Sequence, residues 1–136
     1  MRYLLLVYNC DRPEPTDERY EETMARVNAF ADECRARGAL VADAPLHLEG
    51  AATTVRVGAG GTLVTDGPFV ETHEHLGGYY LLDCRDLDEA LELAGRWPMT
   101  ERGAIEVRPV ASMSGLDARP REVTGAATDT AVAAGG

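Results

Sequence analysis

Two short runs constrain this chain more than anything else in it. Arg2-Tyr3-Leu4-Leu5-Leu6-Val7-Tyr8 and Gly77-Gly78-Tyr79-Tyr80-Leu81-Leu82-Asp83-Cys84 are β-prone and apolar at consecutive positions rather than at alternate ones. A strand with one wet face alternates, so both faces of these two strands call for cover. In a chain of 136 residues there is room for one domain and few elements to supply it.

The remaining elements follow from periodicity. Tyr20, Met24, Val27, Phe30 or Ala31, and Cys34 recur at helical spacing and predict a helix from about Asp17 to Arg37. Thr16 is its expected N-cap, acidic residues fill its first turn, and Gly38 is its expected stop. Short segments near residues 39–41 and 46–48 lead to a hairpin. Thr54–Val57 and Thr62–Thr65 are its strands and Gly58-Ala59-Gly60-Gly61 its turn. No helix follows that glycine-rich turn, which excludes a phosphate-binding loop. Asp86 with Glu89 predicts a capping box opening a second helix, with Leu87, Ala90, Leu91, Ala94 and Trp97 as its buried face. Ala104–Arg108 alternates and reads as a last strand.

This order gives an α+β fold: a ferredoxin-like βαββαβ sheet with an inserted β-hairpin and two helices on one face. The other face of the sheet is then left apolar, and a homodimer pairing sheet on sheet is the economical cover. Residues 1–112 form the domain. Residues 113–136, rich in Ala, Gly and Thr, read as a flexible tail.

Composition narrows the function classes. The net charge of −10 argues against nucleic acid as a partner. The longest apolar run is too short to span a membrane and no secretory leader is evident, so the expected location is cytoplasmic. All 13 basic residues are Arg, which excludes a lysine Schiff base and the cofactors that depend on one. Cys10, Cys34 and Cys84 are odd in number and widely spaced, so neither a disulfide framework nor a structural zinc site is indicated. Cys34 and Cys84 fall among core positions.

The segment with most chemical promise is Thr65-Asp66-Gly67-Pro68-Phe69-Val70-Glu71. A turn aspartate ordinarily accepts the N–H two residues on, and here that residue is Pro68, which has none. Asp66 therefore bonds Phe69 N–H, a distant group, water or a ligand. His73 and His75 share a side of an extended segment and with Glu71 resemble a facial metal set. Without a clear third ligand or supporting shell, no metal is assigned and no cofactor is expected. His75 is the better acid/base candidate, since it precedes a buried strand and an unperturbed imidazole titrates near pH ~6.5. Tyr8, Tyr79 and Arg108 are candidates for substrate binding, with Arg108 suited to a carboxylate or phenolate. For each the plainer reading is packing or a solvated face. His47 has no chemical neighbours in sequence and reads as surface or satisfied core.

Met1–Tyr8, Thr65-Asp66-Gly67-Pro68-Phe69, Glu74-His75-Leu76-Gly77-Gly78-Tyr79-Tyr80 and Gly103–Pro109 together resemble the DGPF branch of the YCII-related family. The resemblance covers about residues 1–112. It implies a dimeric α+β barrel-like fold, a wider group that includes a dehydrochlorinase-type enzyme, and a His–Asp pair proposed as catalytic. Asp66 would correspond to that aspartate. The family's histidine sits early in the first long helix, and this chain has none between Asp17 and Arg37, so His75 would have to stand in. The resemblance further implies a genomic link to extracytoplasmic-function sigma factors. Two functions are expected from this: acid/base chemistry on a small anionic or phenolic molecule, or a non-catalytic accessory role beside a sigma factor.

Overall fold

The computed structural model describes residues 1–9, 13–70, 75–98 and 103–111. Cys10, Glu71 and His73 lie outside them, as does the 113–136 segment. Six strands and two helices run in the order β1 (Arg2–Tyr8), α1 (Tyr20–Ala36), β2 (Leu40–Pro45), β3 (Thr53–Gly58), β4 (Gly61–Asp66), β5 (Leu76–Asp83), α2 (Leu87–Gly95) and β6 (Ala104–Pro109). Four strands make an antiparallel sheet in the order β2-β5-β1-β6, while β3 and β4 form a separate hairpin. This is the βαββαβ plan with an insertion between its second and third sheet strands.

The two doubly apolar runs become the two central strands. Their faces differ. Tyr3, Leu5 and Val7 of β1 and Tyr80 and Leu82 of β5 point toward the helices and are buried. Leu4, Leu6, Tyr79 and Leu81 point the other way and remain half-buried. The core closes around three rings, with Phe30, Tyr80 and Trp97 meeting edge to face at centroid distances of 5.1–5.4 Å.

Helix α1 begins three residues later than the sequence predicts. Thr16 does not cap it. Asp17 instead organises the preceding turn, its carboxylate accepting from Arg19 N–H at 2.9 Å and its carbonyl from Tyr20 N–H at 3.0 Å. A local Asx bond competes with helix entry here. At the other end Gly38 (φ +70) lets Ala39 N–H reach Cys34 O and Gly38 N–H reach Arg35 O, the paired bonds of a Schellman stop.

Asp86 caps α2 as expected, accepting from Glu89 N–H at 2.9 Å, while Glu89 reaches back one residue further than predicted, to Arg85 N–H. The buried face needs correction. Leu93 is fully buried and Leu91 is 39% exposed. With Ala90, Ala94 and Trp97 all inward, the centre of the stripe lies toward Leu93. Leu91 falls roughly 100° off it.

Candidate functional site

A cavity of about 1020 Å³ opens where β1 and β2 end and β5 and β6 begin. Its polar lining includes Tyr8, His47, His75 and Glu106; Leu46, Leu76 and Ile105 supply apolar surface.

The backbone explains why these residues meet. β1 pairs with both β5 and β6, so its last residue, Tyr8, sits beside Leu76 and Ala104. The β1–β5 register shifts between Val7 and Tyr8, passing over Gly77, and such a bulge re-aims the side chains around it. Asn9 then takes a left-handed conformation (φ 57) that Asn tolerates better than most residues. Its N–H donates to His75 O at 2.9 Å, and its Oδ1 accepts from His75 N–H at 2.8 Å. These two hydrogen bonds pin the backbone of His75 to the end of β1. On the other side Leu46 N–H donates to Gly77 O at 2.9 Å and holds His47 against the same opening.

The Asp66-Gly67-Pro68-Phe69 turn forms the next wall. Gly67 has φ +97, donates its N–H to Ala52 O at 2.7 Å and accepts from Thr54 Oγ1 at 2.7 Å. The turn is thereby stapled to the start of β3, and Gly67 and Pro68 face the cavity. Phe69 lies under the Arg56 guanidinium, 4.7 Å from ring centroid to Cζ. The Asp66 carboxylate is exposed at the end of β4, and among the described residues it accepts no hydrogen bond and forms no ion pair.

The sequence candidates are thus divided by the fold. Tyr8 and His75 come together. Asp66 stands one residue from the lining without entering it. Tyr79 lies on the open sheet face and borders a second groove near α1 rather than this cavity. Arg108 is exposed and paired with Glu106, which does line the cavity. His47 was read as surface or core, yet it shares the opening with His75, and Asn9 was not singled out at all. A clue to Asn9 was available: an Asn directly after an apolar strand suits a left-handed exit. The expectation for Gly77-Gly78 resolves into backbone approach, because a Cβ on Gly78 would sit 2.9 Å from Ala44 O.

Burial raises both core thiols, Cys34 to about 11 and Cys84 in the same direction, which makes them inert packing groups. No group of three or more His, Cys, Asp or Glu able to hold a metal occurs among the described residues, though His73 and Glu71 lie outside them. No described helix is long and apolar enough to cross a membrane.

The YCII-related domain model matches residues 1–114. The chain belongs to the YCII-related family. An uncharacterised protein of Rhizobium meliloti (strain 1021) is 41% identical over 117 residues, covering 82% of this chain and 93% of the relative. Among solved structures, 5-chloro-2-hydroxyhydroquinone dehydrochlorinase (TftG) from Burkholderia phenoliruptrix AC1100, in complex with 2,5-dihydroxybenzoquinone, is 19% identical. That match covers 82% of this chain and 98% of the other, with a TM-score of 0.42.

Proposed function

We propose that this YCII-related protein is a homodimer whose sheet-end cavity binds a small anionic or phenolic molecule and performs acid/base chemistry on it without a cofactor. One observation carries the reading: two imidazoles, a phenol and a carboxylate line a single cavity that also has apolar walls. A concave, largely apolar surface with a few convergent titratable groups is the usual form of a small-molecule site. His75, fixed by Asn9, is the acid or shuttle, and His47 is the second imidazole able to exchange a proton with the same ligand. Asp66 acts as base from the cavity edge, where no described group competes for it. Arg108 and Tyr8 orient the ligand. An anionic ligand would draw Arg108 from Glu106, its ion-pair partner.

The test is a titration of side-chain-labelled histidine signals with 4-hydroxybenzoate. Saturable shifts at His47 and His75, lost in Asn9→Ala and weakened in Arg108→Ala, are expected. Millimolar probe that leaves both imidazoles unmoved would exclude the site.

A further inference from the structure

The two walls of the sheet-end cavity differ in chemistry. Its titratable side chains, among the described residues, all come from the end of the sheet. Tyr8 closes β1, His47 follows β2, His75 leads into β5 and Glu106 lies on β6. Tyr8 pairs in register with Ala104, and Glu106 stands two residues further along β6, on the same face and opposite Leu6. That face is the one turned away from the helices.

The facing wall is the base of the hairpin, formed by Gly50, Ala52, Gly67, Pro68 and Val70. None of the five has a polar side chain. The backbone of the turn is engaged as well. Gly67 N–H donates to Ala52 O, Gly67 O accepts from Thr54 Oγ1, and Pro68 has no N–H to offer. Asp66, the nearest titratable group of the hairpin, stops one residue short of the lining. A Cβ added at Gly50 or Gly67 would meet no heavy atom of another part of the chain within 4 Å, so nothing in the protein packs on those positions.

Size and chemistry together select a ligand. At about 1020 Å³ the cavity reaches the upper end of the ~300–1,000 Å³ usual for small-molecule sites. A single aromatic ring held by the imidazoles would leave the hairpin wall wet. Water finds few partners there, so its displacement by an apolar group is favourable.

We propose that the ligand of this cavity is an amphiphile, with an anionic or phenolic head and an apolar tail. The inference rests on the sheet-end cavity being a ligand site and adds the substrate class. The head meets Tyr8, His47 and His75, and the tail lies along Ala52, Pro68 and Val70. A single-ring acid occupies the polar wall alone and binds more weakly.

Butanoate, hexanoate and octanoate keep one charged head at pH 7 and lengthen only the tail. Each is titrated against the side-chain-labelled histidine signals of the full chain. Affinity read at His47 and His75 should rise ~threefold per added methylene, making octanoate at least ~tenfold tighter than butanoate. 1-Hexanol, which has the tail without the anion, should bind more weakly than hexanoate. Val70→Asp should flatten the series and Val70→Leu should keep it, with circular dichroism confirming that both variants fold. Equal affinities across the series, or a slope unchanged in Val70→Asp, would overturn the amphiphile and leave the sheet-end site standing. If neither these acids nor 4-hydroxybenzoate moves either imidazole, the site itself fails and this inference with it.

Discussion

At the scale of single residues, the family turn divides into a structural glycine and an aspartate with no partner among the described residues. Gly67 is in the left-handed region and both its backbone groups are bonded to the start of β3. Gly67→Ala should therefore cost about 1 kcal/mol or more in urea unfolding. Asp66→Asn, altering an exposed group with no described partner, should stay within about 0.5 kcal/mol of wild type while changing ligand response. If Asp66→Asn instead unfolds the protein, its role is structural. That Asp66 lacks its usual turn donor was legible in sequence, because Pro68 has no N–H; that neither Phe69 N–H nor another described group replaces it was not. The convergence of His47 on His75 was not: it depends on the Leu46–Gly77 backbone bond, and no local pattern encodes which strand a segment will lie beside. The thiols behave as their apolar neighbours implied. Iodoacetamide at pH 8 should leave Cys34 and Cys84 unmodified in the native protein and label both after denaturation.

At the scale of elements, the sequence was most informative where local chemistry ends a helix and least so where packing selects a face. Gly38 and Asp86 were identified as the α1 stop and the α2 cap because both act through bonds within a few residues. Leu91 was placed in the α2 core and Leu93 was not, since a leucine-rich helix permits either edge of its stripe. The sheet decides between them by bringing Ala90, Ala94 and Trp97 inward. Leu93→Ala should accordingly cost about 2–5 kcal/mol and Leu91→Ala no more than about 0.5 kcal/mol. Matched chemical denaturation curves of the two variants measure the difference, and equal losses would contradict the assignment. The α1 stripe carries a related lesson. Periodicity marked Tyr20, Met24 and Val27 as inward, which they are, but periodicity does not distinguish a side chain facing the core from one facing a groove.

At the scale of the molecule, charge and uncovered apolar surface raise separate questions. Arg37 and Arg96 hold Glu33 and Glu92 in a four-residue network joining the end of α1 to α2. The Arg37 hydrogen bond and charge hold Glu92 below its ordinary value of 4.5. A depressed carboxylate contributes stability fully above its unfolded value and loses it as pH falls through the lower folded one. The urea midpoints of wild type and Glu92→Gln should therefore differ at pH 7 and converge at lower pH. The gap should be small and should shrink with salt, because the pairs are largely exposed. The apolar surface is a larger matter. Leu4, Leu6, Tyr79 and Leu81 lie half-exposed across one sheet face. Val55, Val57 and Val64 are 57–80% exposed on one side of the hairpin, since β3–β4 pairing puts Val55 opposite Val64 and Val57 one step along the same face. A monomer rarely leaves large apolar faces in water, and a stable interface needs roughly 800 Å² from each partner. The expected mass in light scattering at micromolar concentration is twice the 14.6 kDa of one chain. Leu81→Arg, at the centre of the sheet face, should shift the population to monomer, because a charge buried without a partner there opposes association. Val57→Arg separates the contributions: dissociation by both variants assigns the hairpin to the same interface, whereas dissociation by Leu81→Arg alone confines the interface to the sheet. A wild-type mass of one chain would mean that neither surface is held by a second copy.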